Sequence, residues 1–242
     1  MSQPPAPAHP HPHRHAPRLQ FPADTVRDAK QATAGTKTDF RSLLASSLQE
    51  SHLDATAKNK HSSATGAYQF TERTWLDLMR RHGAELGQAD AADQITVKDG
   101  APFVADAETR ENILALRSDS GLAGAMAARY FEENRAALAH NLGRKPSDNE
   151  VRMAYFLGAH GATRLIKAAQ NEPDLGADKV VASAVKHNPG LFHNQDGSVR
   201  TAREAVASLN HHFDAAMAKV KGALGRHLSW LDAAATPVDD DA

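Results

Sequence analysis

No cysteine occurs among the 242 residues, which excludes disulfides, thiol nucleophiles, cysteine-ligated zinc and iron–sulfur clusters. Aromatic residues make up only 5%. The apolar share of 41% leans on alanine, a composition that favours helices over β-sandwiches. Charge of one sign is not in excess either: 28 Lys+Arg against 29 Asp+Glu leave a formal net charge of −1. A general nucleic-acid binder needs a basic footprint, so nucleic acid is not an expected partner. No run approaches the roughly 18 consecutive apolar residues of a membrane span. The opening stretch, MSQPPAPAHPHPHRHAPRLQFP, has no apolar core of a secretory signal, so no signal peptide is expected.

What is present begins with that Pro/His-rich stretch. Proline recurs too often for a helix, and the expectation is a disordered tail over residues 1–37. His9, His11, His13 and His15 alternate within it; a metal-binding tract and a solvated, biased tail are both open readings. From Thr38 the pattern turns helical. Phe40, Leu43, Leu44 and Leu48 fall on one face, with Thr38 or Asp39 able to cap the start. Residues 54–70 are small and polar and end in Gly66-Ala67-Tyr68-Gln69-Phe70, which reads as a loop returning to the body of the domain. Thr71 then caps a helix carrying Trp75, Leu78 and Met79. Residues 94–104 hold two short apolar runs around Asp99-Gly100, the pattern of a hairpin.

Further along, Ile113, Leu114 and Leu116 form a short helical unit, and Leu122, Met126 and Tyr130 the stripe of another, to about His140. Ser147-Asp148-Asn149-Glu150 and Thr201-Ala202-Arg203-Glu204 are capping boxes. The first opens a helix that Gly158 and Gly161 interrupt, and a loop is expected around Asn188-Pro189-Gly190 and Asp196-Gly197. The expected architecture is mainly α with one small β-hairpin. The domain is expected over residues 38–220, followed by a helix end and acidic tail over 221–242.

For chemistry the absences recur: no Gly-x-Ser-x-Gly elbow, no Gly-rich phosphate loop and no HExxH motif. His211 and His212 are adjacent and so point to different helix faces, leaving no expected metal site. Glu50 remains. It follows Leu43 by two helical turns and projects near the apolar face. A carboxyl group beside leucines is pushed toward its neutral form, as a general acid near neutral pH requires. An ordinary glutamate at a helix end, facing water, is the alternative.

Glu50-Ser51, then Gly66-Ala67-Tyr68-Gln69, then Ala154-Tyr155-Phe156-Leu157-Gly158 resemble the three signature segments of lytic transglycosylases with the goose-lysozyme-like fold. The likeness extends over about residues 39–213. It takes in LQESHLDATAKNKHSSATGAYQFTERTWL, VADAETRENILALR, ENRAALAHNLGRKPSDNE, AYFLGAHGATRLI and NPGLFHNQDGSVRTAREA. The resemblance implies a lysozyme-like helical domain and a peptidoglycan-cleaving lyase. Glu50 would be its sole catalytic acid/base; Ser51, Ser63, Gly66, Tyr68, Gln69 and Tyr155 would contact the glycan strand. Tyr68 and Phe156 depart from the Met and Asn usual in the family, and for Tyr68 and Tyr155 simple packing is as open as a substrate role.

Cleavage between N-acetylmuramic acid and N-acetylglucosamine would leave a 1,6-anhydro sugar, with no cofactor and no metal. The expected place of action is the periplasm or cell envelope, reached through a secretion or flagellar apparatus or by phage lysis. The alternatives are an inactive glycan-binding module, or a helical scaffold whose last helix, to Trp230 and Leu231, docks a partner.

Overall fold

The computed structural model describes Leu19, residues 21–60 and residues 62–234, with side chains through residue 225. The alternating histidines, the acidic stretch after residue 234 and the side chains of Trp230 and Leu231 lie outside the described residues. The architecture is mainly α with a single small hairpin among them: α1 (Ala23–Ala32), α2 (Phe40–Ser51), α3 (Glu72–His82), α4 (Ala89–Asp93), β1 (Thr96–Lys98), β2 (Ala101–Phe103), α5 (Ala107–Ala115), α6 (Ser120–Leu142), α7 (Asp148–Asn171), α8 (Ala177–His187), α9 (Pro189–Phe192) and α10 (Ala202–Ala234). None of these helices is long and apolar enough to cross a membrane.

Helix α2 sits at the centre. Asp39 starts it by accepting the Arg41 N–H, so of the two capping candidates the aspartate does the work. Every residue from Ser42 to Ser47 is buried, because α1, α6 and α10 pack around it. Serine and alanine at these positions let the neighbouring helices approach closely. The helix ends abruptly. His52 and Leu53 both take left-handed backbone angles, φ 57 and φ 72, and their N–H groups reach back to Leu48 O and Ser47 O in a Schellman-type close.

Both capping boxes form. Ser147 and Glu150 exchange hydrogen bonds of 3.2 and 2.7 Å, and Thr201 and Glu204 bonds of 3.3 and 2.9 Å. The hairpin forms as well, antiparallel, with Val97 opposite Pro102. Asp99 and Gly100 carry φ values of 52 and 72, the two positive angles that a tight hairpin turn needs. In α7 only Gly158 leaves helical geometry, at φ 74 and ψ 153; Gly161 stays helical. The stretch read as a loop at Asn188-Pro189-Gly190 contains the one-turn helix α9, opened by its proline.

The expected boundaries need correction. Residues 23–32 are not a solvated tail but helix α1, and Phe21, Val26 and Ala29 are buried with Leu44, Ala45, Ala216, Val220 and Ala223 in a cluster of their own. The reason is local: the prolines stop at Pro22, which stands at the N-terminal cap of α1, and the following segment has just enough apolar spacing to cover one face of α2. Thr38 completes the tie by donating to Glu132 of α6 at 2.9 Å. At the other end, burial of Ala223 carries the core past residue 220.

Candidate active site

Glu50 occupies the last turn of α2, one residue before Ser51, and is half-buried. It makes no hydrogen bond or ion pair with another described residue. Burial alone pushes its carboxyl group from an ordinary 4.5 up to about 7. At neutral pH the group is thus shared between acid and carboxylate, which suits a residue that must first give a proton and then take one.

Two segments frame it. From α7, the Tyr155 ring stacks on Phe131 at 4.9 Å and its hydroxyl donates to Tyr68 O at 3.0 Å. Burial raises the Tyr155 phenol well above its usual range, and the Glu50 charge adds to this; the two groups are near neighbours. From the loop after α2, Ala67 O lies 2.9 Å from the Ser51 hydroxyl, which is also 3.1 Å from Ser47 O. The loop therefore binds to both sides of the acid through backbone carbonyls.

The loop is built from short-range pairings. Thr65 bridges to Lys58 and to Phe70, and Gly66 N donates to Ala57 O at 2.8 Å. Gly66 needs to be glycine twice over. Its φ is +84, and a Cβ there would stand 2.2 Å from Arg117 O. Gln69, at φ 50, turns its amide NH2 inward to Gly66 O at 2.9 Å and Ala57 O at 3.2 Å, so it braces the loop.

The expected contact residues thus divide. Glu50, Ser51, Gly66, Gln69 and Tyr155 come together around one helix end. The Tyr68 ring is only 6% exposed and belongs to the core, so packing describes its side chain while its carbonyl serves Tyr155. Ser63 is exposed, with its hydroxyl accepting the Glu72 N–H at 3.2 Å beside the Thr71 cap of α3. Asp54 is exposed and held low by hydrogen bonds from Thr56. Glu72 forms a surface ion pair with Arg110. Neither is placed as a second buried acid.

Sequence reading missed Arg117. It is buried, 7% exposed, and donates to Leu114 O at 2.9 Å, Ser63 O at 2.6 Å and Phe70 O at 3.2 Å. An arginine in the apolar setting of Leu114 and Leu116 was the available signal. Among the described residues no cluster of histidine and carboxylate side chains could hold a metal ion, and His211 and His212 are exposed. A scan of the chain against known protein families finds no match.

Proposed function

We propose that the protein is a peptidoglycan lytic transglycosylase with Glu50 as its acid/base. The observation that carries the reading is a single glutamate, desolvated without a charged partner and raised to about 7, at the helix end where the motif resemblance expects the acid. Two-carboxylate hydrolysis asks for a partner group a few ångströms away. The best-placed alternatives, Asp54 and Glu72, are respectively exposed and salt-bridged.

In this mechanism protonated Glu50 gives its proton to the oxygen linking N-acetylmuramic acid to N-acetylglucosamine, and the C1–O bond breaks. The resulting Glu50 carboxylate takes the proton of the muramic acid C6 hydroxyl. The C6 oxygen closes onto C1, leaving a 1,6-anhydro product and restoring the acid. No water is consumed. The place of action is the cell envelope.

The test is incubation with purified peptidoglycan. Fragments lighter by one water than hydrolysis products are expected, and Glu50→Gln should lower their rate of release about 10²- to 10⁴-fold. Reducing muramic acid ends would sink the lytic mechanism. Glycan binding with no cleavage at any pH would instead favour a binding module.

A further inference from the structure

Arg117 is a buried cation with no carboxylate at salt-bridge distance among the described residues; Glu72 and Glu111 act on it only at longer range. Burying a guanidinium this way is costly unless its donors are satisfied. Here they are spent on backbone carbonyls of two separate segments. Leu114 O belongs to α5, whereas Ser63 O and Phe70 O are the two ends of the loop segment facing Glu50. A planar fork with several N–H groups suits this bridging, and a lysine has no equivalent. Gly66 brings the middle of the same segment against the Arg117 backbone, where a Cβ would stand only 2.2 Å from Arg117 O. The guanidinium thus holds the segment at both ends, and the backbone of the same residue packs closely against its middle.

Between those pins lie Ala67 O and Tyr68 O, the acceptors of Ser51 and Tyr155. We propose that Arg117 is a positioning residue: its guanidinium locks residues 63–70 onto the corner after α5, so that the segment keeps water away from Glu50. Glu50's role as acid rests on the proposed function; the effect of Arg117 on its carboxyl group does not. Tyr155 of α7 feels the Glu50 charge, with Tyr68 of the loop and Tyr130 of α6 grouped around it, and Asp28 of α1 acts in turn on Tyr68. On α10, His212 responds to burial, Lys219 and His211 and not to Glu50. Loosening the segment thus changes the solvation of the acid without removing a charge from its surroundings.

The experiment is an NMR titration of isotope-labelled glutamate carboxyl groups in the full chain, with Glu50→Gln supplying the assignment. The wild-type midpoint is expected near the value of about 7 set by burial. In Arg117→Lys, which keeps the charge but has one nitrogen where Arg117 uses Nε toward Leu114 O and Nη1 toward Ser63 O and Phe70 O, it should fall by about one pH unit or more toward 4.5. The alkaline limb of peptidoglycan cleavage should fall with it. An unmoved midpoint in a folded Arg117→Lys protein overturns the proposal. Should that variant not fold, Ser51→Ala decides, because it cuts the Ala67 tether from the α2 side; an unmoved midpoint there is equally fatal. If the midpoint moves but wild type cleaves no peptidoglycan, the proposed function fails and the positioning role stands.

Discussion

At the scale of the residue, Glu50 links pH to stability and, as the proposed acid, to activity. Its folded value, about 7 against an ordinary 4.5, means that folding favours the neutral form. Below about 4.5 both states are protonated and the fold carries no penalty. As pH rises toward 7 the unfolded chain ionises first, and stability falls until the folded acid also ionises. The full difference is about 3 kcal/mol. Glu50→Gln does not titrate, so its melting temperature should overtake that of wild type between pH 4.5 and 7 and hold the lead above. Thermal melts across that range, with both proteins in the same buffers, check this. A constant offset at all pH values would mean that the carboxyl group is solvated. On the proposed role of Glu50, wild-type activity should decline in the same direction, falling on the alkaline side as the proton donor is lost.

Among the structural elements, two glycines fix how the site is assembled, for different reasons. Gly66 faces a backbone oxygen that leaves no room for a side chain, and its φ of +84 would strain any other residue placed there. Gly158 has open space around it, but φ 74 with ψ 153 is a conformation almost restricted to glycine. Gly158→Ala should cost about 1–3 kcal/mol, visible as a melting temperature lower by roughly 2–4 °C per kcal/mol in a domain of this size. Gly66→Ala should cost at least as much and should also impair cleavage, because the loop must leave the Arg117 corner. Equal activity in the two variants at matched stability would show that the loop's seat does not matter to the acid.

Much at this scale was legible beforehand. Asp39, Thr71, Ser147 and Thr201 announce helix starts because capping is a short-range affair. Asp99-Gly100 announces the hairpin for the same reason. Gly158 marked the break in α7, whereas Gly161 misled, since an isolated glycine can stay in a helix when its neighbours hold it. The Arg117 clamp was not legible, because its partners are backbone carbonyls up to 54 positions away and leave no trace in side-chain pattern.

On the scale of the whole molecule, residues 21–32 are structural. Phe21, Val26 and Ala29 are buried with Leu44 and Ala45 of α2 and with Ala216, Val220 and Ala223 of α10 in one cluster. A buried side chain of the Phe or Val kind contributes about 1.5–3 kcal/mol. Deleting residues 1–38 should therefore remove several kcal/mol and lower the melting temperature by about 10 °C or more. Calorimetry on the shortened protein checks this, and an unchanged midpoint would show that α1 docks without contributing. Composition hid the segment: proline and histidine dominate up to Pro22, and the few apolar residues after it become meaningful only against α2.

The hydrogen bond from Gln49 to His212 O spans 163 positions of the chain. Gln49 is the immediate neighbour of Glu50, so the helix bearing the acid is seated by a segment that is synthesised much later. Contacts of such long sequence separation close slowly, since the intervening chain must first be brought to order. During translation α2 leaves the ribosome long before α10 exists, and its buried serines and leucines then have only α1 for company. Assembly of the acid's surroundings becomes a late event in the life of the nascent chain, and refolding from denaturant should recover helical signal well before it recovers the perturbed titration of Glu50.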